Sequence, residues 1–183
     1  MRPGSIERRD QLEHLIRVAG SLLGDDTVIV IGSQAILATV PAPAEEALMR
    51  SMEADLLPLD DSLEEKADLI DGVLSAGSIF DDTHGVHVDG VRITTPVLPA
   101  GWRQWLVEIS NANTNGVRGL CLEPHDLVVS KLAAGRPKDI EFCDAAIRSG
   151  LIDLGVLADR VSGTDLTASM RERLASWTER RTS

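Results

Sequence analysis

The sequence has few aromatic residues and few cysteines. Aromatic side chains make up 3% of the 183 residues, and tyrosine is absent. The core must therefore be built from leucine, valine, isoleucine and alanine. Two cysteines, Cys121 and Cys143, are too few for a disulfide framework, so the sequence favours buried free thiols over a disulfide or a zinc site.

Long apolar runs and an excess of basic residues are also missing. No segment is long enough to span a bilayer, and residues 1–11 (MRPGSIERRDQ) lack the apolar region of a secretory signal. We therefore expect a cytoplasmic protein with no membrane contact. Lys and Arg number 18 against 29 Asp and Glu, which gives a net charge of −11. Nucleic-acid-binding proteins normally carry a basic surface, so this balance argues against extensive contact with RNA or DNA.

The rest of the composition is ordinary for a globular protein, with 43% hydrophobic and 26% charged residues. The order of the patterns predicts an α+β fold, in which a small mixed sheet flanked by helices is followed by a helical C-terminal lobe. We expect an α/β core over residues 1–122 and a lobe packed on it over residues 123–183.

Apolar periodicity predicts the individual elements. Helices are expected at residues 5–23, 33–40, 44–50, 62–76, 124–135, 136–148, 151–161 and 164–181. Strands are expected at 25–31, 51–59, 86–93, 104–109 and 116–122. The capping-box spacing from Ser62 to Glu65 marks one helix start. Segment 77–99 has the weakest pattern and, outside 86–93, predicts a polar loop.

The stretch 28–59 contains the first residues that could carry chemistry. Its apolar run ends at Gly32-Ser33 before a helix-like segment, a turn that directs backbone N–H groups at a phosphate site. Glu53 and Asp55 lie two residues apart on a predicted strand and therefore share a face. Convergent carboxylates of this kind suit Mg²⁺ or Mn²⁺. The alternatives are a plain turn with a serine N-cap and the polar face of a half-exposed strand.

Three segments in this order resemble the nucleotidyltransferase-fold superfamily. They are Gly32-Ser33 after a strand, residues 50–56 (RSMEADL) and residues 131–139 (KLAAGRPKD). More closely, the sequence is similar to bacterial nucleotidyltransferase-like proteins related to AbiEii-type and MenT-type toxins, over about residues 26–150. The resemblance implies binding of a nucleoside triphosphate with Mg²⁺ and transfer of a nucleotidyl group to a hydroxyl of RNA or protein. It also implies a toxin-type component with a cognate antitoxin.

The resemblance assigns roles to the glycine-serine turn and to the paired carboxylates. Gly32 and Ser33 would contact the triphosphate, and Glu53 and Asp55 would hold the metal. The sequence departs from the family at Glu53, where aspartate is usual. The roughly twenty residues between Ser33 and Glu53 also exceed the usual spacing and imply an inserted Pro/Ala-rich loop.

Basic residues and a further carboxylate complete the implied site. Lys131 and Lys138 would offset phosphate charge, and Asp139 would orient a lysine or approach the nucleotide. The third carboxylate, which activates the acceptor hydroxyl in many members, is not obvious. Asp89 is the first candidate and Glu108 the second. For Lys131, a side chain that extends to solvent is the alternative, and for Lys138-Asp139 it is an ordinary helix start with an acidic first turn.

A second group of possible metal ligands lies in the weakly patterned segment. It comprises Asp81, Asp82, His84, His87 and Asp89. The two histidines are three residues apart, a spacing that suits a helix, but the segment has no helical pattern. We therefore favour a polar loop over a zinc site.

The function hypothesis has one alternative of a different class. A catalytically degenerate module could keep the fold and bind a nucleotide or a partner, and lack of a third carboxylate would favour it. A metal held by Glu53 and Asp55 would favour the enzyme. The aliphatic C-terminal helices with Trp177 could pack against a second copy in a homodimer. Trp102 and Trp105 could be core anchors or walls of the cleft.

Overall fold

A computed structural model describes residues 5–51, 53–60 and 64–182. The helices are α1 (Ser5–Leu23), α2 (Glu65–Leu74), α3 (Ile79–His84), α4 (Pro124–Ala134), α5 (Pro137–Arg148), α6 (Leu154–Ser162) and α7 (Ala168–Thr182). The strands are β1 (Thr27–Val30), β2 (Glu53–Pro58), β3 (His87–Gly90), β4 (Val107–Ile109) and β5 (Arg118–Cys121). Short 3₁₀ helices occupy Ser33–Ala38, Glu46–Leu48 and Trp102–Trp105.

The strands of the described residues form one five-stranded mixed sheet in the order β3-β2-β1-β5-β4. β1 pairs antiparallel with β2 and parallel with β5, β2 pairs parallel with β3, and β4 pairs antiparallel with β5. Every residue of β1 is buried, as expected for a central strand with packing on both faces. The α+β prediction is confirmed.

Helices α1 and α2 cover one face of the sheet, where two glycines allow close approach. A Cβ placed on Gly119 of β5 would lie 2.4 Å from the Ile16 side chain of α1. A Cβ on Gly90 of β3 would lie 2.1 Å from the Ala67 carbonyl oxygen of α2. Because side chains alternate along a strand, the opposite face of β2 carries Glu53 and Asp55.

The helical C-terminal part begins where the sequence predicts. Glu123 caps α4, Pro124 occupies its first turn, and Gly135 ends it at a φ of 69°. One buried apolar cluster includes residues on both sides of position 122, and the division into core and lobe stays a prediction. Trp177 of α7 is 1% exposed, so it packs inside its own chain and is not a surface for a second copy.

Several predicted elements differ from the observed ones. The strand expected at 104–109 begins only at Val107, because Trp102–Trp105 forms a 3₁₀ helix. The loop expected within 77–99 contains α3, whose start is capped by the Ser78 hydroxyl accepting from the Asp81 N–H at 3.1 Å. Ser62 lies outside the described residues, so its predicted cap cannot be compared. None of the described helices combines the length and apolar character needed to cross a membrane.

Candidate functional site

The end of β1 comes into direct contact with Asp55 of β2. The Ile31 N–H donates to the Asp55 carbonyl oxygen at 3.0 Å, which fixes the two backbones side by side. A Cβ placed on Gly32 would lie 1.7 Å from Asp55 Oδ2. Glycine at position 32 is therefore required for the Asp55 carboxylate to occupy its place. The helix expected after this turn is a 3₁₀ helix of six residues, with Gly32 as its N-cap.

Three carboxylates lie together on one face of the sheet, and we call them the carboxylate row: Glu53, Asp55 and Asp89. Glu53 and Asp55 alternate along β2, while the parallel register of β2 and β3 places Asp55 opposite Asp89. Between them, Ala54 is buried on the other face of the sheet. The structure thus brings both predicted metal ligands and the first candidate for the third carboxylate into one neighbourhood.

The carboxylate row is electrostatically strained. Burial raises the pKa of Asp55 to about 6, and repulsion from Glu53 and Asp89 adds to the rise, while the charges of Lys131 and Arg136 oppose it. Burial, followed by repulsion from Glu53, also raises the pKa of Asp89. The row therefore carries more negative charge than its surroundings neutralise, and a bound cation would relieve this repulsion.

His87 lies beside the row and was not predicted as part of it. It is opposite Glu53 in the register of β2 and β3, with Nε2 3.8 Å from Glu53 Oε2 and Nδ1 3.4 Å from Asp81 Oδ1. His84 is the last residue of α3, and the centre of its ring lies 4.5 Å from the centre of the Phe80 ring. The spacing of His87 two residues before Asp89 was a usable signal, because both lie on one strand face.

Lys131 and Arg136 face the carboxylate row from the junction of α4 and α5. The buried carboxylate of Asp139 pairs with both of them. Asp139 is 1% exposed; its Oδ2 accepts from Arg136 Nε at 2.7 Å, and its Oδ1 lies 3.4 Å from Lys131 Nζ. Burial raises the pKa of Asp139, but the hydrogen bond from Arg136 and the charge of Lys131 outweigh this effect and lower it. Lys138 is exposed. Arg136, inside the predicted KLAAGRPKD segment, was not predicted as a site residue.

Two cavities meet at Lys131. The serine cavity, of about 120 Å³, is lined by Ser33, Ser51, Lys131, Lys138 and other residues. The aspartate cavity, of about 420 Å³, is lined by Gly32, Asp55, Lys131, Arg136 and other residues. Every predicted nucleotide-binding residue therefore lines at least one of two adjoining cavities, with the basic residues concentrated around Lys131.

The donor chemistry of the carboxylate row fits Mg²⁺ or Mn²⁺. Glu53 and Asp55 offer hard oxygen ligands beside an anion-accepting cavity. Over residues 5–51, 53–60 and 64–182, no group of three or more His, Cys, Asp or Glu side chains gathers closely enough to hold a metal by itself. Mg²⁺ is commonly held by one or two carboxylates, with water and substrate phosphates completing its shell, so two protein ligands suffice. The predicted alternative of a ligand group at residues 81–89 gains no support.

Other predicted candidates lie apart from the site. Glu108 is on β4 at the far edge of the sheet, where its Oε2 accepts from Arg118 at 2.7 Å. Trp105 is 50% exposed and lines a separate cavity of about 270 Å³, with the Arg160 guanidinium 4.2 Å from its ring centre. Cys121 and Cys143 are free and buried, and burial raises the pKa of both thiols.

Comparison with known protein families identifies a match over most of the chain. The family model described as "Nucleotidyltransferase of unknown function (DUF6036)" matches residues 10–179. That range includes the Gly32 turn, the carboxylate row and the α4–α5 junction. No curated protein and no solved structure matches the chain significantly.

Proposed function

Because the chain belongs to the nucleotidyltransferase family of unknown function DUF6036, we propose that it transfers a nucleotidyl group from a nucleoside triphosphate to a hydroxyl of RNA or protein. The observation that carries the proposal is the carboxylate row, which faces Lys131 and Arg136 across Gly32. Phosphoryl-type transfer needs mainly positioning and charge neutralisation from the protein, and this arrangement supplies both signs of charge at one place.

The residues divide the work by charge and position. Glu53 and Asp55 hold Mg²⁺ or Mn²⁺, which when bound neutralises charge on the phosphates. Lys131 lies at the meeting point of both cavities and binds the phosphate chain, with Ser33 and Lys138 contributing in the serine cavity. Asp139 keeps Lys131 in place through the ion pair at 3.4 Å.

Asp89 is the proposed base for the acceptor hydroxyl. It lies opposite Asp55 on the neighbouring strand, so an acceptor beside Asp55 is also beside Asp89. In the proposed step the acceptor oxygen attacks the α-phosphorus, pyrophosphate leaves, and Asp89 accepts the hydroxyl proton.

Calorimetric titration of the protein with ATP, CTP, GTP and UTP, each with Mg²⁺, tests the proposal. We expect at least one nucleotide to bind, and Asp55→Asn to abolish this binding while the circular dichroism spectrum is kept. Glu108→Gln is the matched control, because it removes a carboxylate at the far edge of the sheet and should bind normally. If no nucleotide binds even weakly, the proposal fails.

A catalytically degenerate module that binds nucleotide or a partner is the second candidate. It is supported by the departures from the family pattern at Glu53 and in the length of the connection from Ser33 to Glu53. Nucleotide binding without release of pyrophosphate, in the presence of acceptor mixtures, would support this candidate over the enzyme.

The relation to AbiEii-type and MenT-type toxins is a narrower proposal, supported by the segment at residues 131–139 (KLAAGRPKD). A toxin-type component, normally restrained by an antitoxin, should arrest growth when induced alone in a bacterial host. Asp55→Asn should relieve the arrest at equal expression level, whereas Glu108→Gln should not. Growth unaffected by the unaltered protein would contradict the toxin role without affecting the proposed chemistry.

A further inference from the structure

A third cavity continues from the aspartate cavity along β2. This side cavity, of about 380 Å³, is lined by Leu57, Leu59, Val91, Ile93 and other residues. Val91 lines the aspartate cavity as well, and Thr94 and Thr95, neighbours in sequence, line one cavity each. Leu57 lies two residues beyond Asp55 and so on the same strand face. The two cavities therefore form one groove, and Asp55 of the carboxylate row lines its inner part.

The outer part of this groove combines aliphatic and charged side chains. Leu59 and Ile93, which are each 49% exposed, both line the side cavity. Leu57 and Pro58 form its buried floor. Such a surface gains free energy by burying apolar side chains of a ligand.

Of the two cations that line the side cavity, Arg92 is neutralised within the chain. Arg92 pairs with Glu64 at 2.8 Å and with Asp68 at 2.6 Å. The Arg103 guanidinium lies 4.6 Å from the centre of the Trp102 ring. Asp60 and Glu64 add negative charge to the lining, and the whole chain carries −11. RNA binding depends on cations that are available to phosphates, so this groove is poorly suited to RNA.

We propose that the acceptor is a polypeptide, bound in an extended conformation along this groove with a serine or threonine hydroxyl at the carboxylate row. The inference rests on the proposed nucleotidyl transfer. From Asp55 to Pro58 the groove follows β2 over three residue steps, roughly 10 Å, which is the length of about three residues of an extended peptide. Alternate side chains of such a peptide face one way, so apolar residues at every second position meet Leu57, Ile93 and Leu59.

The proposed step transfers the nucleotidyl group to the peptide hydroxyl. The peptide hydroxyl oxygen forms a bond to the α-phosphorus of the nucleoside triphosphate. The bond from that phosphorus to the oxygen bridging the β-phosphorus breaks, and pyrophosphate leaves. Asp89 takes the hydroxyl proton, and the product is a phosphodiester between the peptide and the nucleoside monophosphate.

The test compares acceptors with nucleotides radiolabelled at the α-phosphate. One probe is a nonapeptide with a central serine, leucine at the second and fourth positions on either side, and glycine elsewhere. This symmetric design allows either direction of binding. The matched peptide has asparagine in place of leucine, and unfractionated transfer RNA is the nucleic-acid probe. We expect label on the leucine peptide, at least about tenfold less on the asparagine peptide, and none on RNA.

Variants of the groove separate the acceptor from the nucleotide. Leu59→Glu and Ile93→Glu should each lower labelling of the leucine peptide about tenfold, because a carboxylate disfavours apolar contact there. Val156→Glu is the control, since Val156 is a 39% exposed aliphatic residue on α6 that lines another cavity. All three variants should keep the nucleotide affinity of the unaltered protein, which also shows that they fold.

The outcomes distinguish this inference from the function on which it rests. Label on RNA, or equal labelling of the two peptides, overturns the peptide acceptor and leaves nucleotidyl transfer standing. Nucleotide binding with no labelled acceptor, or unchanged labelling by Leu59→Glu and Ile93→Glu, also overturns it. Absence of nucleotide binding overturns the proposed function itself.

Discussion

Asp55 shows how a single side chain can oppose the stability of the fold that positions it. The Asp55 carboxylate lies against the backbone at Gly32 and close to Glu53 and Asp89. Burial and repulsion from these two carboxylates raise its pKa to about 6. A folded-state pKa above that of the unfolded chain means that the native state binds the proton more tightly. The free energy of unfolding therefore falls as pH rises from about 4 to about 6, and it stays at this lower level at higher pH.

Asp55→Asn should accordingly stabilise the protein at neutral pH. Asparagine cannot ionise, so the variant should gain about 1–2 kcal/mol in free energy of unfolding near pH 7.5, a value reduced for partial solvent access. The gain should shrink towards zero near pH 4, where aspartate is also neutral. Urea denaturation at both pH values measures it. Glu108→Gln, which removes an exposed carboxylate paired with Arg118, should give no gain, and a loss of stability in Asp55→Asn at neutral pH would contradict the argument.

The sequence predicts the site residues that lie close together along the chain. Glu53 and Asp55 follow from the two-residue period of a strand, and Lys131 and Asp139 lie in one segment with a family resemblance. Local signals also existed for the two residues that were missed, because His87 lies two residues before Asp89 and Arg136 lies inside the KLAAGRPKD segment. Local spacing does not encode the register between β2 and β3, which places His87 opposite Glu53, or the packing that brings Arg136 into one cavity with Asp55.

The long connection between Ser33 and Glu53 is held in place by α5. Two ion pairs join it to this helix, Arg50 to Glu141 and Glu45 to Arg148, and Arg50 also lines the serine cavity. These side chains are mostly exposed to solvent, so each pair contributes little to global stability. Their effect is local: they hold the wall of the cavity that the triphosphate would enter.

The double variant Glu141→Gln/Arg148→Gln should release this connection without unfolding the protein. We expect the midpoint of urea unfolding to stay close to that of the unaltered protein, while amide hydrogen exchange of residues 44–50 speeds up several-fold. Arg118→Gln, which breaks an exposed ion pair at the sheet edge, is the control and should leave these amides unchanged. Unaltered exchange in the double variant would show that the apolar packing of Leu48 is sufficient.

Helix α7 is held to the rest of the chain by Trp177. The side chain is 1% exposed, and Leu174 one turn earlier is fully buried. Trp177→Ala should destabilise the protein by about 3–5 kcal/mol, because it leaves a large cavity beneath the helix. Trp177→Phe should lose much less. Thermal unfolding followed by circular dichroism measures both, and a small effect of the alanine variant would indicate that α7 is only loosely attached.

Helices with strong periodicity are well predicted from sequence, and short elements are not. The bounds of α1 agree, and α5 agrees to within one residue at its start. The missed helix α3 has six residues and no buried side chain, so it has no apolar stripe to detect. Its signals are local: the Ser78 cap and Gly85 at a φ of 66°. The late start of β4 has the same cause, since four residues at Trp102–Trp105 are too few for a period.

At the scale of the whole molecule, the sheet and the C-terminal helices share one apolar core. Leu127, Val129 and Leu132 of α4 are fully buried in the same cluster as Ile29 of β1. Residues 1–122 alone would expose apolar side chains of this shared cluster. We expect this fragment to show no cooperative thermal transition, whereas the full chain should melt in one step. A cooperative transition of the fragment would establish the predicted core as an independent folding unit.

The contact between Gly32 and Asp55 also restricts how the chain can change over time. Gly32→Ala alone should cost about 1–3 kcal/mol, because its Cβ would lie 1.7 Å from Asp55 Oδ2. It should cost less in an Asp55→Ala background, which removes the carboxylate but keeps the Cβ of residue 55 at 2.9 Å. A double-mutant cycle of unfolding free energies measures this coupling, and additive effects would contradict it. A lineage that lost Asp55 first and then gained a side chain at position 32 would need two reversions to regain the carboxylate. Evolutionary loss of the Asp55 carboxylate is therefore hard to reverse.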